Sequence, residues 1–384
     1  MLGGKMEIVC GREDLVFGVR TASHALGGRS SMPILGGIRF RSVEGGVELG
    51  ATDLERAIQC QVPAKVQGEG TFVCPGQVLA QLVTRLPEAD EVKLEEVDGK
   101  VRLRCGEATF DLLTLPADEF PELARPSRDP MCRMPLPALL RAISQTAFAA
   151  LRASETTRLA LTGVDLVFRD GAVKLAATNG YRLAIKRVPV EGLPEGYEAS
   201  FLVDAQILGD LHRVLSAVEA EEVQVYEEEG QLHFAAGPVL FSTRLIQEQF
   251  PDFERVIPRD NEIGLFLPRE AFLETLRRME ITATEESGAV TLKASAGETA
   301  VEVSSASKEK GEGHERVRLS KPPGKDIEIA FKAEYLIDAL RRMDSDQVAL
   351  WLSAPERAGL IEPAGDIAPG DEGFIYVCMP VRLI

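Results

Sequence analysis

The chain has 384 residues, and at a typical 150 per domain it is too long for one domain and suits two or three. With 45% hydrophobic and 27% charged residues it falls in the globular window, which excludes a disordered or collagen-like chain. The formal net charge of −17 excludes a protein that holds nucleic acid simply by being basic.

Taken in chain order, MLGGKMEIVCGRED carries no apolar signal-like run, and Met6 opens a plausible strand, so residues 1 to 5 read as an extension or an upstream start. A helix is expected over 11–26, then the turn GRSSMPILGG, the alternating strand VELGAT, a helix over 75–86, and strands VRLRC and FDLLTL. The Pro-rich stretch 121–137 reads as a boundary. Beyond it come a helix over 137–152, strand VKLAAT, a helix over 204–218, and strands VQVYE and LHFAA. A second Pro-rich stretch, 255–268, leads into a helix over 268–283 and strands VTLKASA and VEVSS. The polar segment 307–326 reads as a mobile loop, and a last helix is expected over 333–343. Leu139, Leu140, Ile143, Ala147 and Leu151 have the spacing of one buried helical stripe. The class is α+β with segregated layers.

The chain also repeats itself. FVCPGQVLAQL (72–82), FLVDAQILGDL (201–211) and AFKAEYLIDAL (330–340) align at an offset of about 129. ELGATDLERAI matches KLAATNGYRLAI, ADEVKLEEVDGKVRL matches AEEVQVYEEEGQLHF, and EFPEL matches QFPDF, all in the same order. Three copies of one domain follow, over 1–126, 127–256 and 257–384.

Catalytic chemistry is missing from this pattern. The four histidines, His24, His212, His233 and His314, stand apart, and the six cysteines form no CxxC pair, so neither a metal site nor a disulfide framework is expected. A reducing cytoplasm fits that cysteine usage. No phosphate-binding GxxxxGK[ST], no GxGxxG after a strand and no GxSxG elbow occurs, so no cofactor and no catalytic residue is expected. Clusters such as YEEEG and LEEVDG read as solvated charge at turns. The six helices, with the first extended to Arg29, together carry +3, which leaves −20 for everything else. For one helix this is ordinary surface arginine; across six it suggests one shared, less acidic face.

LGGRSSMPILGGIRF (26–40), GATDLE (50–55), LPADEFPEL (115–123), AATNGYRLA (176–184), QFPDFERVIP (249–258), FKAEYLIDAL (331–340) and YVCMPVRLI (376–384) span the chain in order. On these passages the sequence resembles the bacterial DNA polymerase III β subunits, the family of sliding clamps. It departs from them in ATNGYRLA, where the family usually has ATDGHRLA, in TATEESGAV, and in the extra Ile384. The resemblance implies a non-catalytic ring closed by head-to-tail dimerisation of three-domain chains, helices inside and sheets outside. Twelve helices about 9 Å apart leave a hole about 24 Å wide, enough for duplex DNA, whereas six leave only about 7 Å. Such a ring holds DNA topologically, so an acidic exterior is no obstacle.

By the same resemblance, Arg29 faces DNA, and the helical count adds Arg85, Arg141, Arg152, Arg213, Arg278 and Arg342. Phe110 and Leu112 fall at one dimer edge, Ile281 and Thr282 at the other. A groove for a short linear peptide is implied around Arg158, Leu161, Thr178, Gly180, Tyr181, Arg182, Leu183, Pro251, Arg255, Val256, Tyr335, Met379, Pro380, Val381 and Arg382. Its apolar members would form a floor, and its arginines would offer donors to peptide carbonyls or an acidic residue. Expected partners are a second copy, sequence-independent double-stranded DNA, and polymerases, clamp loader and repair proteins through linear motifs, with no membrane. The alternative is a secondary clamp copy or a protein-only scaffold that keeps the peptide groove without a replicative DNA role.

Overall fold

The computed structural model describes residues 6–28, 32–284 and 287–382, so Arg29 and the choice between Met1 and Met6 lie outside the described residues. Within them the order strand, helix, four strands, helix, three strands occurs three times in succession. The first pass opens with strand Glu7–Gly11 and α1 (Arg12–Ser23), continues through α2 (Gly76–Val83) and ends with strand Ala108–Leu113. The second opens with Cys132–Pro135 and α3 (Leu136–Thr146), continues through α4 (Ala205–Leu215) and ends with Val239–Arg244. The third opens with Ile263–Pro268 and α5 (Arg269–Thr282), continues through α6 (Ala333–Leu340) and ends with Phe374–Cys378.

All six expected helices form, each shorter than its apolar pattern. In α1 the buried Leu15, Val19 and Ala22 recur at the 3-4 spacing that sets one face against a sheet. The helix expected over 137–152 stops at Thr146, whose hydroxyl turns back to the carbonyl of Ala142 at 2.7 Å, and a 3-10 turn, Ala147–Ala149, follows. The two Pro-rich stretches are not bare linkers: each contains the strand that enters the next helix, Cys132–Pro135 and Ile263–Pro268.

By contact density the chain divides into two units, Met1–Leu136 with Asp210–Leu245, and Pro137–Gly209 with Ile246–Ile384. In the first, an antiparallel path runs through Ala108–Leu113, Lys100–Cys105, Glu91–Val97, Glu7–Gly11, Arg56–Gln67, Val239–Arg244, Gln231–Ala236, Glu222–Glu228 and Cys132–Pro135. The strand Arg56–Gln67 makes this continuity: residues 64–67 pair with the first strand of the chain, and residues 56–60 pair with Val239–Thr243 of the second repeat. In the second unit an eight-stranded sheet contains the equivalent junction, with Arg182–Lys186 of the second repeat paired to Phe374–Cys378 of the third.

A separate four-stranded sheet runs Gly311–Arg318, Ala300–Ser307, Ala289–Ala294, Ile327–Lys332. This corrects the expected mobile loop over 307–326: Gly311–Arg318 is a strand paired with Ala300–Ser307 from Ala300↔Arg318 to Ser307↔Gly311. It is an edge strand with mostly exposed side chains, so GEGHERVR shows little of the apolar alternation that marks half-buried strands.

Trp351, the single tryptophan, lies on strand Gln347–Leu352 and packs edge-on against Phe266 at 5.4 Å between ring centres. Its indole N–H donates to Glu362 at 2.8 Å. Gly264 on the neighbouring strand leaves room for it: a Cβ there would lie 2.8 Å from the indole ring. All six cysteines are free and buried. No helix among the described residues is long and apolar enough to cross a membrane.

Buried polar groups fix the junction in the second unit. The Asp371 carboxylate, fully buried, accepts from Arg141 Nη2 (2.5 Å), Gln145 Nε2 (2.9 Å), the Asp344 and Ser345 amides (2.7 and 2.8 Å) and the Ser345 hydroxyl (2.7 Å). Despite the desolvation, these donors hold its pKa below the usual carboxylate value. Beside it Lys186, 4% exposed, donates to the carbonyls of Gly370 and Glu372, both at 2.6 Å. Burial lowers the Lys186 ammonium to about 8 from 10.5; Glu372 and Asp371 oppose that shift, and Arg141 adds to it. The folded pKa is below the unfolded one, so between these values the unfolded chain binds more protons and stability rises with pH. Below about pH 8 the cost is constant and fully present. Replacing Lys186 by Met therefore removes up to about 1.4 kcal/mol per pH unit from the slope of stability between pH 8 and 10.5, measured by urea unfolding of both proteins at several pH values.

Candidate functional site

Two turns with different sequences are built alike. In Thr178-Asn179-Gly180-Tyr181-Arg182 the Thr178 hydroxyl donates to the Arg182 carbonyl at 2.6 Å and accepts from the Gly180 amide at 3.1 Å. Asn179 Oδ1 accepts from the Tyr181 and Arg182 amides, both at 3.0 Å. In Thr52-Asp53-Leu54-Glu55-Arg56 the Thr52 hydroxyl makes the same pair of bonds at 2.7 and 3.0 Å, and Asp53 Oδ1 accepts from Glu55 and Arg56 at 3.0 and 2.9 Å. The middle residue has positive φ in both, +89° at Gly180 and +77° at Leu54, so only the second turn forces a side chain into the left-handed region.

Each turn ends in an arginine that reaches a helix. Arg182 Nη1 pairs with Asp338 of α6 at 2.6 Å, and Nη2 donates to the Phe148 carbonyl at 2.9 Å. Its guanidinium lies over the rings of Tyr335 (4.6 Å) and Phe148 (5.4 Å). Arg56 pairs with Asp210 of α4. This corrects the expectation that Arg182 offers donors to a peptide: its side chain is 9% exposed and both terminal nitrogens are engaged. Asn179, Phe148 and Asp338 belong to this constellation and were not anticipated; Asn179 Nδ2 donates to the Tyr335 hydroxyl at 3.3 Å.

Of the expected groove residues, Leu183 is core, packed with Ala176, Ile185, Phe253 and Val377. Tyr181, Met379 and Val256 are exposed apolar side chains at 65%, 44% and 56%. The Met379 amide donates to the Tyr181 carbonyl at 2.8 Å, which joins those two, and the Val381 amide donates to Ala330 at 2.8 Å, which ties the chain beyond Met379 to the sheet. Pro380 is partly buried, and Pro251 and Arg382 are exposed. Arg158 and Leu161 sit together on a 3-10 turn, with the Leu161 carbonyl bonded to the Leu151 amide at 2.8 Å. A cavity of about 530 Å³ in this unit is lined by Arg255, Val256, Asn261, Ser353 and Arg357 among others, and takes in only Arg255 and Val256 of the expected set.

The helical arginines divide. Arg141 is engaged with Asp371 and Asp344, and Arg278 donates two hydrogen bonds to the Glu315 carboxylate, from Nε at 2.9 Å and from Nη2 at 2.6 Å, so these two are held by carboxylates rather than free to face an anion. Arg342 lies over Phe148 at 5.4 Å. Arg85, Arg152 and Arg213 are exposed, Arg213 paired with Asp210. In the first unit a cavity of about 600 Å³ gathers Arg213 with Arg12, Arg20 and His24, the last three unanticipated, over Val16, Phe17, Val83 and Val214. Burial lowers the His24 pKa, as do Arg213, Arg56 and Arg20, while Asp210 acts against them.

The last strands of the three repeats differ in what covers them. Phe241, third in Val239–Arg244, is opposite Ile58, and Tyr376, third in Phe374–Cys378, is opposite Ala184; both aromatics are fully buried. Phe110, third in Ala108–Leu113, is 36% exposed on a strand paired on one side only. Leu113 (67%) shares that edge, whereas Leu112 is partly buried. The strand equivalent to Arg56–Gln67 and Arg182–Pro189 in the third repeat is Gly311–Arg318, likewise an unpaired edge. Near it, Ile281 is 69% exposed and the Thr282 hydroxyl bonds Ser305 at 2.7 Å. No group of three or more His, Cys, Asp or Glu among the described residues could hold a metal ion.

Comparison with known proteins agrees with this threefold pattern. Family descriptions of the DNA polymerase III beta subunit match the chain in order: the N-terminal domain over residues 6–124, the central domain over 134–252 and the C-terminal domain over 254–382. The beta sliding clamps of Staphylococcus aureus and Staphylococcus epidermidis are 28% and 29% identical to it, over 98% of this chain and 99% of theirs. The DNA polymerase sliding clamp from Bacillus subtilis superposes with a TM-score of 0.91 at 27% identity, covering 99% of this chain and 100% of that one. A sliding clamp from Pseudomonas aeruginosa bound to griselimycin gives 0.91 at 25% identity with the same coverage. Three repeats of one element order, each matched by its own domain of one family across nearly the whole length, make this chain a member of the DNA polymerase III beta subunit family.

Proposed function

We propose that the chain is a DNA sliding clamp, a non-catalytic processivity subunit that closes around duplex DNA as a ring of two head-to-tail copies and tethers polymerases by short linear peptides. The observation that carries this reading is the exposure of Phe110, whose two counterparts are fully buried against a neighbouring repeat. Its missing neighbour is the Gly311–Arg318 edge of a second copy. In the registers Phe241↔Ile58 and Tyr376↔Ala184 the third residue of one strand faces the third of the other, so Phe110 would face Gly313 of that copy. Two free edges that complete each other satisfy the backbone groups of both. The domain limits of 1–126, 127–256 and 257–384 belong to the same proposal, as does a cytoplasmic location.

The DNA role rests on helices that are less acidic than the rest of a chain carrying −17, and on the cavity where Arg12, Arg20 and Arg213 outnumber Glu13. Few phosphates would be touched at a time, which allows sliding. Tyr181 and Met379, joined through their backbones, and Val256 at the rim of a separate cavity are exposed apolar side chains that favour peptide docking over a closed core, and two or three buried anchors correspond to roughly micromolar affinity. The bound griselimycin of the Pseudomonas aeruginosa relative accords with a ligand-binding clamp.

Loaded onto nicked circular DNA by a clamp loader, the protein should be retained on the circle and released when the DNA is linearised; retention on linear DNA would count against topological binding. Phe110→Asp should shift the sedimentation mass at micromolar concentration from two chains to one while the circular dichroism spectrum stays unchanged. Deleting residues 380–384 should lower the affinity of a fluorescent polymerase-derived peptide at least tenfold without dissociating the dimer, an outcome read by fluorescence anisotropy.

A further inference from the structure

We propose that the cavity between residues 252–261 and the hairpin turn 353–358 binds an acidic peptide, and that it takes the peptide's carboxylate where the preceding junction between repeats uses a carboxylate of its own. The site is complete within the second unit. It needs neither a second copy nor DNA.

The connection from the first repeat to the second is fastened by Glu228. Its Oε1 accepts from the Ser127 and Arg128 amides at 2.9 and 2.8 Å, and its Oε2 accepts from the Ser127 hydroxyl at 3.1 Å. Despite desolvation, these donors hold its pKa below the usual carboxylate value. The connection from the second repeat to the third is flanked by the same strand pairing, with Pro268 opposite Gln347 as Pro135 is opposite Glu222. Counted along the chain from those pairs, Glu228 corresponds to Ser353, and Ser127 and Arg128 correspond to Asp260 and Asn261. A hydroxyl therefore stands where the first junction has its carboxylate.

The groups such a carboxylate would bond are left without partners. The Ser353 hydroxyl oxygen is buried and unbonded, and the amides of Asp260 and Asn261 make no hydrogen bond to protein among the described residues. Asn261 Nδ2 donates to the Trp351 carbonyl at 2.8 Å, which fixes the side-chain amide and leaves its buried Oδ1 without a donor. Asp260, Asn261 and Ser353 all line the cavity of about 530 Å³. Buried polar atoms of this kind cost free energy that a ligand recovers by pairing with them.

The charges around the cavity select the ligand. Asp252 is paired with Arg255, and Glu254 with Lys174, which leaves Arg259 and Arg357 against Asp260, with no ion pair to any of these three among the described residues. A guanidinium matches a carboxylate in shape and charge. Asn261 Oδ1 in turn calls for an N–H, which a peptide offers beside its acidic side chain and an inorganic anion does not. The volume suits several residues rather than a single ion. Tyr181 and Met379 take no part in this cavity, so it is distinct from the surface on which they lie.

Fluorescence anisotropy of a fluorescein-labelled Gly-Asp-Glu-Asp-Gly peptide on the full-length protein tests this, with Gly-Asn-Gln-Asn-Gly as the uncharged control. On a chain carrying −17 the acidic peptide should still bind with a dissociation constant of about 0.1 to 1 mM, and the control about tenfold more weakly. Arg357→Gln, at an exposed position, should weaken the acidic peptide about tenfold. Arg169→Gln, which removes the same charge elsewhere in the unit, should leave its affinity unchanged. Asp260→Ser, which copies Ser127 of the first junction, should tighten binding about threefold by removing a like charge. Ser353→Glu, which copies Glu228, should fill the place from within and abolish binding while the circular dichroism spectrum stays that of the wild type. Equal affinity for the two peptides overturns the proposal. So does an equal loss in Arg169→Gln and Arg357→Gln, which would mean that general charge holds the peptide, or full binding by Ser353→Glu.

Discussion

A strand with one unpaired side presents a row of amide and carbonyl groups that must find partners in protein or remain in water. This constraint organises the whole chain, because every repeat ends in such a strand. Twice the answer is internal: Val239–Arg244 pairs with Arg56–Gln67, and Phe374–Cys378 with Arg182–Pro189. Each time, the pairing brings a tight turn, its terminal arginine and a helical aspartate into the same place. The exposed apolar pair Tyr181 and Met379 is a by-product of that junction, since the Met379 amide is held by the Tyr181 carbonyl just past the paired strands.

Much of this was legible before any coordinates. The offset between FVCPGQVLAQL, FLVDAQILGDL and AFKAEYLIDAL marks three strand-to-helix passages, at Thr71–Pro75 into α2, Ala199–Asp204 into α4 and Ile327–Lys332 into α6. Helices were legible because a single buried stripe repeats on a fixed period. Gly311–Arg318 was not, because a strand exposed on its faces and at one edge lacks that imprint. Arginine roles are the least legible part of the sequence. Sequence gives the sign of the charge but not its partner: Asp371 lies 230 residues from Arg141, and Asp338 lies 156 from Arg182. One signal was available, since aspartate recurs at the sixth position of α4 and α6.

The electrostatic pattern is accordingly subtler than a basic lining against an acidic exterior. Arg141 and Arg278 already have carboxylate partners, so the cations that remain for an external anion are fewer than the residue count suggests. Those around the first-unit cavity, Arg12 and Arg20, are accompanied there by Glu13 and by Phe17, and Arg213 beside them is already paired with Asp210. A surface of this kind attracts a polyanion weakly, which suits a protein that must not stop on it.

The placement of the single tryptophan has an optical consequence. Trp351 senses Phe266, Glu362 and Gly264, all within the second unit, and the first unit contains no indole at all. Intrinsic fluorescence excited at the red edge therefore watches only one of the two units. Loss of structure around α1 and α2 would pass silently through such a signal, and an unfolding curve recorded this way would look cooperative even if the other half of the chain had already melted.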